Sequence, residues 1–348
     1  MDISIIAKNM PGGGNGPPEP APFTGRPRGE YNTAMDGRDG FPRVFEAAVG
    51  KPLLLGVVLA PFTSFRIGGP ADFFFEAASG EDIVKSVRAA RSAGVRYDVI
   101  GDGTNLLFDD AGYRGLVIRN RVASPAEEAA PGLITAPAGL ALGKVVQFSL
   151  DKGLTGLEFL AGIPGTVGGA VRGNAGAFGR SIGDVLASAL LLGRDGVERR
   201  AVRAEMGFSY RHSSLKGTGD IVLGADFSLA AGDPAKSRDE VREFLAQRRK
   251  KHPPWGTACA GSYFKNPCLP DGSRQAAGYL LDQAGARGQR VGDAAVYEGH
   301  CNFIINLGRA SARDVLELAA RLKDRVREKF GLTLEEEVIR LGATGAGP

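Results

Sequence analysis

"LAGIPGTVGGAVRGNAGAFG", residues 160–179, is about half glycine and alanine. Glycine loses more conformational freedom on folding than any other residue, so such a stretch is unfavourable unless bare backbone is required. The usual requirement is close approach to something large. Backbone N–H groups brought up to a phosphate make an anion cradle, and small side chains let a flat cofactor or a neighbouring strand lie against the chain.

A second loop has the same character. "GDGTN" at 101–105 follows the apolar "YDVI" at 97–100, so the hydroxyl of Thr104 and the amide of Asn105 stand beside bare backbone at the C-terminal end of an expected strand. Ligands of α/β sheets usually sit there. Taken alone, the loop has a second, lesser reading as a tight surface turn. Neither standard phosphate fingerprint is present. "GLALGKVV" at 139–146 has the wrong spacing for a P-loop, and "GDGTNLLF" has no third glycine and leads into loop and strand rather than a helix. Two glycine loops in neighbouring domains point to a long ligand with a central diphosphate. That is a dinucleotide held by something other than a Rossmann fold.

The gross composition sets the limits. At 348 residues, 43% hydrophobic and 24% charged, the chain is an ordinary globular protein with room for two or three domains. No window reaches the length and apolarity of a membrane span, and the N-terminus lacks the basic start and apolar core of a signal peptide, so a cytoplasmic protein without a membrane partner is expected. The three cysteines, Cys259, Cys268 and Cys301, lack CxxC spacing and read as free reduced thiols; no metal site is expected. A net charge of +4 suits an anionic small molecule as well as nucleic acid.

Residues 1–42 carry Pro and Gly throughout much of their length and read as a disordered tail. "ADFFFEA" (71–77) predicts a buried strand. "SGEDIVKSVRAARSAG" (79–94) predicts a helix opened by a Ser79–Asp82 capping box and closed at Gly94. Strands are expected at 97–101, 115–119, "SALLLG" and "DIVLGADFSLA". A helix is expected over 234–251, and another from Ser311 to Phe330 with Val315, Leu318, Ala319, Leu322, Val326 and Phe330 on one face.

Seven segments together resemble the signature blocks of one family. "TSFRIGGPADFF" (63–74), "VIGDGTNLLFDDAGYRGLVI" (99–118), "GLTGLEFLAGIPGTVGGAVRGNAGAFG" (153–179), "FSYRHSS" (208–214), "AGSYFKNP" (260–267), "HCNFIIN" (300–306) and "FGLTLEEEVIRLG" (330–342) are similar, in order, to the UDP-N-acetylenolpyruvoylglucosamine reductases. The resemblance covers roughly residues 50 to 343. It implies an α+β protein: an FAD-binding fold of the vanillyl-alcohol oxidase type built from two α/β subdomains, 50–121 and 122–232, and an α+β substrate domain, 233–343. It further implies non-covalent FAD, NADPH as hydride donor, and a UDP-sugar whose enolpyruvyl group is reduced in peptidoglycan precursor synthesis. The implied FAD contacts are Gly101, Asp102, Gly103, Thr104, Asn105 and Leu106 in one loop, Gly162, Ile163, Pro164, Gly165, Val167 and Gly168 in the other, and Asn174, Ala175 and Gly176.

Hydride addition to the terminal carbon of an unsaturated acid leaves negative charge on the next carbon and its carboxylate, so the site needs a cationic clamp and a proton donor. By the resemblance these are Arg211 and Ser262, with Glu337 polarising the unsaturated acid or assisting the proton transfer. Taken alone, the three residues read as a surface arginine, a turn serine and one solvated glutamate among three. Tyr210, Lys265, Asn266 and His300 are matched to the sugar nucleotide. Lys250, in the run "RRKK", is either a cation at a helix end or a diphosphate partner.

Some positions depart from the family pattern. Gly173 stands where methionine is common, Tyr297 where serine is usual, and Ile339 and Arg340 are exchanged. Too few residues separate Arg211 from the strand at Asp220 for the extra tyrosine-bearing, substrate-clamping loop, so the chain resembles the subclass without it. Two other readings remain. An oxidase of the same fold with a tethered flavin is disfavoured because none of His212, His252 and His300 lies in either glycine loop. A nucleic-acid-binding protein lacks the interleaved aromatic and basic residues it would need. The sequence sets no oligomeric state, and a monomer satisfies it.

Overall fold

The computed structural model describes residues 40–342 and 345–346. The chain forms two compact units. One takes the described residues up to Leu55, then Phe73–Gly101 and Gly115–Val241; the other takes Gly56–Asp72, Asp102–Arg114 and the chain from Arg242 onward.

In the first unit, the helix Gly80–Ser92 begins at Ser79, whose side chain accepts from the Asp82 N–H while the Asp82 carboxylate accepts from the Ser79 N–H, the expected capping box. Its apolar face, with Ile83, Val84, Val87 and Ala90, packs with Phe73, Phe75, Leu116 and Ile118 of the strands Pro70–Ala77 and Tyr113–Asn120. The strand Tyr97–Ile100 runs parallel to Tyr113–Asn120, pairing Tyr97 with Leu116 and Ile100 with Arg119, and so carries the chain directly into Gly101. A five-stranded sheet follows, in the order Glu198–Val202, Leu186–Leu192, Ile221–Ser228, Leu133–Pro137 and Glu127–Ala130, antiparallel throughout. A buried carboxylate needs partners. Asp226 finds them across three neighbouring strands, in Thr135 Oγ1 at 2.7 Å, Ser188 Oγ at 2.5 Å and the guanidinium of Arg200. The short helix Val167–Gly173 packs on the strand Ile221–Ser228.

In the second unit the core is one side of the helix Ala312–Phe330. Val315, Leu318, Ala319, Leu322 and Val326 are buried against the helix Ala277–Gln283 and the small antiparallel sheet Arg290–Val291, Ala294–Val296 and Ile304–Asn306. Ser311 and Asp314 form its capping box and Gly331 closes it in the left-handed conformation. The Asp110 carboxylate also accepts from the N–H groups of Ala312 and Arg313, at 2.8 and 3.1 Å. The strand Leu106–Phe108 runs parallel to Ile339–Gly342. The helix Pro234–Lys251 spans the change from one unit to the other, at Val241 and Arg242.

The expected strands and helices at 71–77, 79–94, 97–101, 115–119, 234–251 and 311–330 all form. Three elements differ. "LLF" at 106–108, read as loop, is a strand, because its partner lies more than two hundred residues away. Leu142–Asp151 forms a helix that the sequence reading did not assign. The tail was expected to reach residue 42, whereas a helix already runs over Phe41–Val49. Its two phenylalanines explain why: Phe41 lies 5.0 Å, centroid to centroid, from Phe73, and Phe45 the same distance from Phe75, in edge-to-face geometry. Residues 1–39 of the expected tail lie outside the described residues.

Phe45 is wholly buried, so Phe45→Ala should lower unfolding stability by about 3–5 kcal/mol. A chain beginning at Gly40 should keep the full-length denaturation midpoint. Denaturant titration of both variants checks the point; a normal midpoint for Phe45→Ala would mean that this helix contributes nothing to the core.

Candidate functional site

The loop after the strand Tyr97–Ile100 is held by the chain on several sides. Gly103 has φ of +62°, and a Cβ there would meet the carbonyl oxygen of Phe62 and lie 2.9 Å from Thr63 Cα. The Gly103 carbonyl accepts from the Ser64 N–H at 3.2 Å. Beyond it, the Asn105 side-chain amide donates to the Glu337 carbonyl at 3.0 Å, and the Asn105 carbonyl accepts from the Ile339 N–H at 3.0 Å. Leu106 then starts the strand paired with Ile339. Gly101 belongs to the first unit and Asp102, Gly103, Thr104, Asn105 and Leu106 to the second.

The second glycine loop lies in the first unit. Gly162 and Gly165 have φ of +76° and +117°, values that favour glycine. The Gly165 carbonyl accepts from the Leu142 N–H, and the N–H groups of Val167 and Gly168 donate to the carbonyls of Leu140 and Ala138. Thr166 caps the helix Val167–Gly173 through its hydroxyl. At Gly168 a Cβ would lie 3.0 Å from the Ala138 Cβ, and at Gly101 it would collide with the Thr166 side chain. The glycine at these positions is therefore required by the packing of the chain on itself, the alternative the sequence left open beside close approach to a cofactor. What remains for a ligand is the set of N–H groups at Gly103, Asn105, Gly162 and Gly165, none of which bonds to an acceptor among the described residues. Gly103, Gly162 and Gly165 among them lie at positive φ, and backbone donors in such loops fit a flavin nucleotide and its diphosphate.

Arg211 also lies in the first unit, in a tight turn where Ser209 and His212 exchange backbone hydrogen bonds. Its φ is +55°, rare for a residue with a Cβ. Its Nη1 donates to the Gly176 carbonyl at 2.9 Å, its guanidinium lies 5.5 Å from the Tyr210 ring centroid, and its own carbonyl accepts from Lys216 Nζ at 2.7 Å. Asn174, expected on the cofactor, is instead buried with both ends of its side chain engaged by the chain: Nδ2 donates to the Ser209 carbonyl at 2.8 Å and Oδ1 accepts from the Gly183 N–H at 2.9 Å. Ala175 accepts from Ile182, and Gly176 opens the hairpin that returns at Arg180.

In the second unit Ser262 and Glu337 come from segments that pair antiparallel. Phe264 bridges Glu336, the Glu337 N–H donates to the Tyr263 carbonyl at 2.8 Å, and the Lys265 N–H donates to Glu335 at 2.8 Å. The Asn302 side chain acts as a third strand, accepting from the Phe264 N–H at 2.9 Å and donating to the Phe264 carbonyl at 2.8 Å. Ser262 follows Gly261, whose φ is +76°, and is half-buried. Its hydroxyl makes no hydrogen bond with the described residues.

Tyr263, Asn302 and Lys323 were missed by the sequence reading. Burial, together with the carboxylate of Glu336, pushes the Tyr263 phenol far above its usual range and keeps it protonated. Lys323 holds the same carboxylate at 3.0 Å. Asn302 was visible, since it stands inside the block "HCNFIIN", but nothing in the sequence said what it clamps.

The residues matched to the sugar nucleotide have partners of their own. Lys265 Nζ pairs with Glu335 at 2.9 Å, and Asn266 Oδ1 accepts from the Ala277 N–H at 3.0 Å, at the start of the helix Ala277–Gln283. His300 stacks edge-on with His252 and Phe303, at 6.2 and 5.1 Å between centroids. Its Nδ1 accepts from the Asn302 N–H, which places the proton on Nε2. Burial lowers the pKa of both imidazoles; His252, also facing Arg248, His300 and Lys251, falls to about 4. Lys250 is exposed at the end of Pro234–Lys251. All three cysteines are free, and the buried Cys301 thiol is pushed up to about 11 by burial and by the Asp282 carboxylate.

Comparison with known proteins places these segments. Residues 71–201 match the FAD binding domain model, and residues 253–341 match the model for the UDP-N-acetylenolpyruvoylglucosamine reductase C-terminal domain. Among curated proteins, the UDP-N-acetylenolpyruvoylglucosamine reductase of Geotalea uraniireducens is 42% identical over 85% of this chain and 96% of its own length. That of Geobacter sulfurreducens is 41% identical, again over 85% and 96%. A crystal structure of UDP-N-acetylenolpyruvylglucosamine reductase from Thermus caldophilus, 34% identical, superposes with a TM-score of 0.69 over 83% of this chain and 99% of that one.

The two roles of glycine can be separated. Gly103→Ala should lower the melting temperature of the flavin-free protein, since its Cβ would meet Phe62. Gly173→Ala, with nothing within 4 Å of its Cβ, should leave stability unchanged or raise it by up to about 1 kcal/mol. Thermal melts of both apoproteins check this; an undisturbed Gly103→Ala apoprotein would return that glycine to the ligand.

Proposed function

Because the chain belongs to the UDP-N-acetylenolpyruvoylglucosamine reductase family, we propose that Arg211, Ser262 and Glu337 carry the reaction of that family in this protein. The reaction reduces the enolpyruvyl group of UDP-N-acetylglucosamine enolpyruvate to give UDP-N-acetylmuramate, a precursor of peptidoglycan. FAD is the cofactor and NADPH the hydride donor. Bound FAD supplies a two-electron relay from NADPH to the enolpyruvyl double bond. The loops 101–106 and 162–168, with their unused N–H groups, and the residues Ala175 and Gly176 are those that would hold it, the Asn174 amide being taken up by Ser209 and Gly183. We read 50–121 and 122–232 as the flavin-binding subdomains and 233–343 as the substrate domain.

The rest is the work of side chains. When the terminal carbon of the double bond is reduced, charge develops on the adjacent carbon and spreads into the carboxylate. The guanidinium of Arg211 meets that carboxylate with fixed, always-charged donors, and it favours the charged intermediate over the substrate. The Ser262 hydroxyl gives its proton to the carbon. A hydroxyl stays protonated at neutral pH yet is acidic enough for so basic a centre. Glu337 polarises the unsaturated acid. Tyr210, Lys250, Lys265, Asn266 and His300 contact the sugar nucleotide, Lys265 and Asn266 by exchanging their present partners. No helix among the described residues is long and apolar enough to cross a membrane, and we place the protein in the cytoplasm, where UDP-sugars are made.

One observation carries the assignment of Ser262. Its segment is locked to that of Glu337 through the Tyr263 carbonyl, while the hydroxyl itself has no partner among the described residues. Ser262→Ala should keep its flavin and be reduced by NADPH at the wild-type rate. Its reoxidation by the enolpyruvyl sugar nucleotide should slow by roughly 10²–10⁴-fold, the usual worth of a positioned general acid. Rapid mixing separates the two half-reactions. Equal slowing of both, or of neither, would move the acid elsewhere.

A further inference from the structure

We infer that Asn174 is a positioning residue for Arg211, holding the guanidinium where the substrate carboxylate must meet it. The inference rests on the reading of Arg211 as the carboxylate clamp and assigns the device that sets it.

Arg211 occupies the left-handed region at φ +55°, a conformation that a residue with a Cβ keeps only when its surroundings over-determine it. Beside the Ser209–His212 exchange and the bond from Lys216, one amide ties this turn to a distant segment. Asn174 ends the helix Val167–Gly173, itself left-handed at φ +46°. From there Nδ2 holds the Ser209 carbonyl, two residues before Arg211, and Oδ1 holds the Gly183 N–H. Two residues after Asn174, the Gly176 carbonyl takes Arg211 Nη1. The backbone of the arginine and the tip of its side chain are thus referred to the same three-residue segment.

The second tie closes the frame. Gly183 packs so tightly on Phe208 that a Cβ there would lie 2.9 Å from the ring, and Phe208 directly precedes Ser209. Gly176 is fixed from the other side, because a Cβ on it would meet the Arg180 carbonyl. An amide is the one side chain of this length that donates and accepts at once without charge. Aspartate would lose the donor to Ser209, and alanine would lose both bonds while also straining the left-handed backbone.

The test uses the flavin-loaded enzyme and compares Asn174→Gly, Asn174→Asp, Arg211→Ala and the double variant Asn174→Gly/Arg211→Ala. Glycine keeps the left-handed backbone and removes only the amide. Asn174→Gly should retain flavin and be reduced by NADPH as wild type, while reoxidation by the enolpyruvyl sugar nucleotide slows about 10–10²-fold, the cost of misplacing a group by about 1 Å. Asn174→Asp should slow the same step, and it decides the matter if the glycine variant loses its flavin. The double variant should be no slower than Arg211→Ala alone, since an amide that acts only through Arg211 has nothing left to position. Multiplying effects would overturn the inference, as would a slowing shared by both half-reactions or normal reoxidation in both Asn174 variants. If Arg211→Ala itself reoxidises normally, the reading of Arg211 falls and the inference falls with it; a slow Arg211→Ala beside a normal Asn174→Gly overturns the inference alone.

Discussion

The backbone of Glu337 is gripped at both ends, and the second unit depends on it. Its N–H reaches the Tyr263 carbonyl and its carbonyl takes the amide of Asn105. Three stretches far apart in sequence, the glycine loop, the segment bearing Ser262 and the C-terminal block, thereby meet at one peptide. Each bond alone contributes on the order of 1 kcal/mol. Their value lies in register: a slip of one residue along the bridge between Phe264 and Glu336 would turn the Glu337 side chain to the other face of the pairing.

The same logic of borrowed partners recurs in both units. Asn302 stands in for a strand beside Phe264, Asp110 supplements the cap of the helix Ala312–Phe330, and Asn174 spans two loops. Each places a short polar side chain where a regular ladder cannot reach, so that buried peptide groups keep their hydrogen bonds without extending a sheet. Irregular backbone can then be rigid. That matters where the groups proposed to react sit on loops rather than within strands.

Much of this was legible beforehand. The capping boxes at Ser79 and Ser311, the closing glycines and the apolar face of Ala312–Phe330 are local signals, and local signals survive into the fold. The strand Leu106–Phe108 was not legible because three apolar residues carry no period of their own; only the distant Ile339–Gly342 makes them a strand. The helix Phe41–Val49 was hidden by the Pro- and Gly-rich residues before it, although Phe41 and Phe45 at helical spacing were its signal. At the candidate site, the ordered motifs pointed to Arg211, Ser262 and Glu337. They could not say that several glycines of 101–168 are small to admit the chain's own backbone, nor that the Asn174 amide is fully engaged within the protein, since both facts depend on which segments fold against one another.

The pairing of Leu106–Phe108 with Ile339–Gly342 also fixes an order of events during synthesis. The ribosome releases residue 106 more than two hundred residues before its partner, and at about 5–20 residues per second the wait is roughly 10–50 s. Throughout that interval the segments Gly56–Asp72 and Asp102–Arg114 belong to a unit whose remaining sequence does not yet exist. Leu107 and Phe108, wholly or nearly buried in the finished protein, lack the strand Ile339–Gly342 beside them until then. The second unit can therefore close its parallel pair only after nearly the whole chain has been made.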